Sequence, residues 1–203
     1  MNLFARIIRK FTRKSSILFF RSISTSKPEG KFCSIAPVLC EGKGRIVVGE
    51  GTSFGFIEDA DFWTSYVFLN PRNADSKIVI GKNCQICNHF TAICEGPGIE
   101  IGDNVLVGTS VNIYDTDFHE VNPERRLTGT PKMGKVVIED NVWIGDRVTI
   151  LKGSRIGKNS VVAAGAVVAG EFPANVVIGG VPARIIREID APAQPAREIN
   201  GGK

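Results

Sequence analysis

Residues 137–168 read VIEDNVWIGDRVTILKGSRIGKNSVVAAGAVV, and one small pattern returns in them every six residues. Aligned on the leading aliphatic residue, the units are Ile138-Glu139-Asp140-Asn141-Val142, Ile144-Gly145-Asp146-Arg147-Val148 and Ile156-Gly157-Lys158-Asn159-Ser160. Upstream stand Ile80-Gly81-Lys82-Asn83-Cys84 and Ile101-Gly102-Asp103-Asn104-Val105. Each slot has a physical meaning. The aliphatic residue points into a core. Glycine removes a Cβ where the chain packs tightly or bends. Asparagine tolerates the left-handed region, so its return at one slot implies a turn with positive φ. A small or β-branched fifth residue fits a corner in extended structure. Six residues therefore make one short strand and one turn.

The larger period is eighteen: Ile138 to Ile156, Ile144 to Val162 and Ile150 to Val168. Three strands and three turns close one coil of a triangular solenoid, and the coils stack. Ile80 to Ile101 is longer by three residues, which Gly96-Pro97-Gly98 supplies as a bulge. The repeats run from about residue 46 to 181, weakly between Phe54 and Lys77.

From Tyr114 to Lys135 the hexads vanish. Asp115, Asp117, His119, Glu120, Glu124, Arg125 and Arg126 fall in this stretch, and the coils resume in register at Val137 or Ile138. A polar insertion between intact coils has to be extruded as a loop, because the core cannot satisfy its polar groups. It holds one of the chain's two histidines, His119; the other, His89, falls at a turn slot.

The 203 residues, 43% hydrophobic and 23% charged, suit a soluble globular chain, and no apolar run approaches the length of a membrane span. The net charge of +4 conceals an asymmetry: residues 1–28 hold seven basic residues and no acid, leaving 18 basic against 21 acidic residues in the remainder. A slightly acidic body argues against nucleic-acid binding. Five cysteines, Cys33, Cys40, Cys84, Cys87 and Cys94, read as reduced thiols of a cytoplasmic protein. Cys84-x-x-Cys87 lies inside the repeat, where small apolar residues belong, and no second pair completes a zinc set. The basic arm has three readings: a helix on an anionic membrane surface, a transit peptide, or a helix packed on the body behind it.

The repeats, with "DTDFHEVNPERR" and "DNVWIGDRVTILKG" after it, resemble the hexapeptide-repeat acyltransferases, and within them the sugar, capsule and O-antigen polysaccharide O-acetyltransferases. The resemblance implies an all-β fold, a left-handed parallel β-helix. The hand comes from the resemblance alone, since parallel crossovers in general favour the right. Residues 1–30 are then a basic helical arm, 31–189 the β-helix with an extruded loop at 114–136 and a short C-terminal helix, and 190–203 a tail. The implied activity is transfer of an acetyl group from acetyl-CoA to a hydroxyl of a sugar or surface polysaccharide, without a metal. N-acetylation of an amino sugar or nucleotide sugar is the alternative within the class.

Thr116-Asp117-Phe118-His119 matches the family's catalytic segment, which makes His119 the general base; histidine as a type titrates near neutrality. Asp117, Asp115 or Glu120 orients the ring, and spacing does not choose among them. By the same resemblance Asn88 and Trp143 face the acceptor, with interface packing an equal reading for Trp143; the charge of Arg125, with Arg126 beside it in the loop, favours an anionic acceptor. Ala164 and Gly165 admit acetyl-CoA at close range, and Arg184 and Arg187 meet its phosphates. The family's Thr-Lys is replaced here by Ala169-Gly170. Homotrimers are the family's usual assembly, and a cytoplasmic enzyme peripheral to the inner membrane face fits the arm. Two other classes share the fold. A zinc carbonic anhydrase needs three histidine ligands, and this chain has two histidines. A non-catalytic scaffold predicts neither a histidine in the insertion nor a basic C-terminal segment.

Overall fold

The computed structural model describes residues 2–190, with the side chain of Ala60 left aside. Its strands fall into three sheets taken in rotation, so that every third strand in the chain shares a sheet. The first sheet stacks Cys33–Ser34, Ser53–Phe54, Gln85–Ile86, Leu106–Val107, Trp143–Ile144, Val161–Val162 and Val176–Gly180 in parallel, and ends on Ala183–Glu188. The second runs from Val38–Cys40 to Val167–Val168, and the third from Arg45–Val48 to Glu171–Phe172, with six parallel strands each. Three strands per coil make a three-sided prism.

The register follows the sequence period. Trp143 pairs Val161, Thr149 pairs Val167 and Ile138 pairs Ile156, each eighteen residues apart. Ile80 pairs Ile101 across the three-residue bulge. Ile80, Ile101, Ile138 and Ile156 thus form one stacked column, each at most 2% exposed. Truncating any of them to Ala costs about 2–5 kcal/mol, since rigid coils on both sides cannot collapse into the gap.

The turn slots behave as their residue types require. Asn83, Asn104, Asn141 and Asn159 all have φ between 55° and 61°. Asn141 and Asn159 also donate through their amides to the Oδ1 of Asn159 and Asn175, at 3.0 and 2.9 Å. The glycine slot has a different cause: a Cβ on Gly102 would lie 2.3 Å from the Oδ1 of Asp140, which accepts the N–H of Asp103. The next coil's aspartate occupies the space that a side chain would need.

Two features depart from expectation. The weak stretch after Phe54 is a second excursion, residues 55–66, containing a 3-10 turn at Ala60–Trp63. And the short C-terminal helix is not found among the described residues. Ala183–Glu188 is instead a strand, antiparallel to Val176–Gly180. The physical reason is the open edge of the last coil, whose unpaired N–H and C=O groups a strand satisfies and a helix would leave bare. The tail expected from residue 190 onward lies, apart from Asp190, outside the described residues.

The arm is a helix, Leu3–Ile23, capped by the Asn2 side chain. It packs beside Val38–Cys40. Phe20 lies against Tyr66 with ring centroids 4.7 Å apart, Arg9 sits over Trp63, and the Ser24 hydroxyl accepts the N–H of Cys40. No helix among the described residues is long and apolar enough to cross a membrane.

Candidate active site

The loop that carries His119 leaves the prism after Asn112–Tyr114 and returns at Val136–Ile138. Both flanking strands are ordinary members of their sheets. Asn112 pairs Thr149 and Glu100 pairs Val137, thirty-seven residues apart where an unbroken coil would give eighteen. The loop's neck is closed by its own backbone. Asp117 N–H donates to the Lys132 carbonyl at 3.0 Å, Gly134 N–H donates to the Asp115 carbonyl at 2.8 Å, and Thr116 bridges Met133.

Asp115 anchors this neck. Its side chain is fully buried and accepts three backbone N–H groups of the preceding coil: Glu95 at 2.8 Å, Gly96 at 3.0 Å and Gly98 at 2.9 Å. A buried carboxylate persists only when its lone pairs are met in this way. Asp115 therefore holds the Gly96-Pro97-Gly98 bulge to the base of the loop, and its carboxylate is spent on that task.

Thr116 donates its hydroxyl to Glu95 at 3.0 Å and accepts the Phe118 N–H at 3.0 Å, which turns the chain sharply. Phe118 sits at φ 62°, a conformation aromatic residues rarely adopt. What holds it there is visible. Its ring lies edge-on to Tyr114 at 5.4 Å and under the Arg72 guanidinium at 5.0 Å, and Arg72 is itself paired with Glu95 at 2.7 Å. Burial also pushes the Tyr114 phenol up, so that ring stays neutral in its packed position.

The next residue, His119, is exposed and makes no hydrogen bond to any described residue. Asp117 forms a 2.6 Å ion pair with Lys152, thirty-five residues on, and both side chains are about 30% exposed. Glu120 accepts the N–H of Val121. None of the three carboxylates considered for orienting His119 is bonded to it within one chain. Arg125 lies on the 3-10 turn Pro123–Arg125, its side chain in solvent.

Other candidates lie on other parts of the prism. Asn88 is fully buried. Its amide donates to the Phe56 carbonyl at 2.9 Å and its Oδ1 accepts the Phe56 N–H at 3.0 Å, so it clips the 55–66 excursion to the coil behind the surface. His89, at φ 57°, occupies the neighbouring turn, with Ser110 Oγ 3.2 Å from its Nδ1. Ala164 and Gly165 lie along the same edge, since Gly165 N–H reaches Asp146 and Arg147 N–H reaches Thr109 in successive coils. Gly165, at φ +72°, has open space where a Cβ would stand. His119 emerges from a different edge. One chain therefore does not bring His119 and the Ala164-Gly165 corner together.

Trp143 stands on the outer face of the first sheet, 55% exposed, between its register partners Leu106 and Val161. Arg184 pairs Gly179 and Arg187 pairs Val177. A register shift between Val177 and Ile178 puts both arginines on that same outer face despite their odd spacing. Cys84 fills the core at its fifth slot, and Cys87 is only partly buried. Burial pushes both thiols up, and those of Cys40 and Cys94 to about 12, which leaves them poor nucleophiles.

Sequence reasoning missed Arg72, Glu95 and Lys152, which lie in coils before and after the loop. Their one signal is position: each stands in a turn of the edge from which the loop leaves.

Comparison with known proteins gives a consistent answer. The bacterial transferase hexapeptide pattern of six repeats matches residues 135–170. The Saccharomyces cerevisiae protein YJL218W, named as an acetyltransferase, is 44% identical over 145 residues, covering 71% of this chain and 68% of that protein. The galactoside O-acetyltransferase of Escherichia coli K12 is 43% identical over 115 residues, covering 57% of this chain and 56% of the enzyme. The matched regions thus span between about half and two thirds of these relatives' own lengths. The crystal structure of a Vibrio cholerae hexapeptide-repeat acetyltransferase, VCA0836, complexed with acetyl-CoA superposes with a TM-score of 0.50 at 24% identity, over 90% of this chain and 89% of that one.

Proposed function

Because the chain belongs to the hexapeptide-repeat acetyltransferases, we propose that it transfers the acetyl group of acetyl-CoA to a hydroxyl of a sugar or surface polysaccharide, with His119 as the general base. The observation that carries this reading is the placement of His119: exposed just beyond the closed neck of the loop, next to a residue pinned at positive φ, with no hydrogen-bond partner among the described residues. A ring so presented is open to a substrate proton. The relative named as a galactoside O-acetyltransferase supports a sugar acceptor.

In the proposed reaction the His119 imidazole takes the proton of the acceptor hydroxyl as its oxygen attacks the thioester carbonyl. The carbon–sulfur bond then breaks, and the CoA thiolate leaves and takes up a proton. A positioned base contributes about 10² to 10⁴ in rate. Asp117 with Lys152 steadies the loop beside His119, and Arg125 lies on the loop's exposed flank, suited to an acidic acceptor. Ala164 and Gly165 form the open, side-chain-poor corner along which acetyl-CoA lies, and Arg184 and Arg187 supply cations for its phosphates. No step needs a metal ion.

We further propose that the prism winds left-handed and assembles as a homotrimer. His119 and the Ala164-Gly165 corner lie on different edges of one chain, so a site that uses both is completed by a neighbouring copy. Exposed Leu106 and Trp143, with half-buried Val161 in register beside them, give that copy an apolar face to cover. The test is thiol release from acetyl-CoA in the presence of galactosides, amino sugars and acidic sugars. Release with a hydroxyl acceptor supports the reading. Release with amino sugars alone moves the chemistry to N-acetylation, and release with no sugar overturns it.

A further inference from the structure

The N-terminal helix is docked by the wrong face for a helix that exists only to cover the prism. At 100° per residue, Arg13, Ser16, Ile17 and Phe20 cluster on one side, and all four are half-buried against the body. Leu3, Phe4, Ile7, Phe11, Leu18 and Phe19 fall within an arc of about 160° on the opposite side. Every one of them is more than half exposed. An amphipathic helix that buries polar and mixed residues while turning its aromatic and aliphatic face to solvent needs a second apolar medium.

The charges narrow what that medium is. Arg6, Lys10, Lys14 and Arg21 fall in a strip of about 80° that overlaps one edge of the docked side and one edge of the apolar arc, and residues 1–28 contain no acid. A second copy laid on this face would bring the same cations against these. Anionic headgroups would complement them while the acyl region took the aromatic arc. The helix is not apolar enough to cross a bilayer, so it lies in the interface plane.

We propose that the outward arc of this helix seats the protein on an anionic membrane surface, with the prism held above it by the Phe20–Tyr66 and Arg9–Trp63 contacts. The proposal is independent of acetyl transfer. It is tested by flotation of the full-length protein with vesicles of phosphatidylcholine and phosphatidylserine, against phosphatidylcholine alone. The wild type should float with the anionic vesicles, and less so as salt rises from about 0.1 M to about 0.5 M. The double variant Phe4→Glu/Phe11→Glu alters only the outward arc and should reduce partitioning at least about tenfold, as should Lys10→Glu/Lys14→Glu. Both variants should keep the wild-type mass in sedimentation equilibrium. Absence of wild-type flotation, equal flotation of wild type and the Phe4→Glu/Phe11→Glu variant, or loss of subunits in that variant would overturn the proposal. The last result would assign the face to a second copy of the chain.

Discussion

Replacing Asp115 separates the scaffold from the chemistry it positions. Asp115→Ala removes the acceptors for three backbone N–H groups. That of Gly98 lies in a fully buried bond and loses its full desolvation penalty, about 1–3 kcal/mol. Those of Glu95 and Gly96 lie nearer the surface, where water recovers part of the loss, so each adds about 0.5–1.5 kcal/mol. The total destabilisation should be about 2–6 kcal/mol, large for one residue in a loop rich in charge. Asp117→Ala, two residues on, breaks only a partly exposed ion pair and should cost about 0.2–1 kcal/mol. Urea titration of both variants against wild type measures the contrast, with the slope of each transition checked for constancy. In folded Asp115→Ala, acetyl transfer should fall while the Michaelis constant for acetyl-CoA changes little, because the neck that aims His119 is released and the Ala164-Gly165 edge is untouched. If Asp115→Ala proves no less stable than Asp117→Ala, the anchoring account of the loop is wrong.

Asn88→Ala should cost about 2–3 kcal/mol of stability by stranding the Phe56 N–H and carbonyl, and should leave acceptor affinity unchanged in the folded fraction; equilibrium unfolding and acceptor titration decide between a clip and a contact. Arg184→Ala and Arg187→Ala should raise the Michaelis constant for acetyl-CoA about tenfold or more, from the loss of charged hydrogen bonds to phosphate. Acetylpantetheine, which lacks the nucleotide, should be affected far less. In the native protein a thiol reagent near pH 8 should label Cys33 quickly. Cys40 and Cys94, with thiols pushed up to about 12 by burial, should react only on unfolding, as counted by mass.

The parts of this structure that could be read from the chain are those set by repetition. An aliphatic residue every six positions has one place to go, and asparagine at a constant offset reports a left-handed turn. The eighteen-residue spacing from Ile138 to Ile156 is the register itself. The insertion was legible because it breaks that rhythm and then rejoins it. Its interior was not. Asp115 reads as one more solvated charge, and only the fold shows it buried under three N–H groups of another coil. Asn88 stands beside a turn, and the choice between facing out and clipping Phe56 depends on an excursion with no repeat to align. Lys152 finds Asp117 only because one coil stacks on another. The last strand failed for a different reason. Ala183–Glu188 is compatible with either period over six residues, and the open edge of Val176–Gly180 decides the matter.

The most direct measurement of the central claim is acetyl transfer by His119→Ala. With a hydroxyl acceptor established by thiol release from acetyl-CoA, the variant should lose at least about a hundredfold in turnover. Its stability, mass and acetyl-CoA affinity should stay near wild type, since the His119 side chain is exposed and hydrogen-bonded to no described residue. His89→Ala should cost far less. A His119→Ala protein that keeps most of its turnover would contradict the assignment of the general base, whatever the fold.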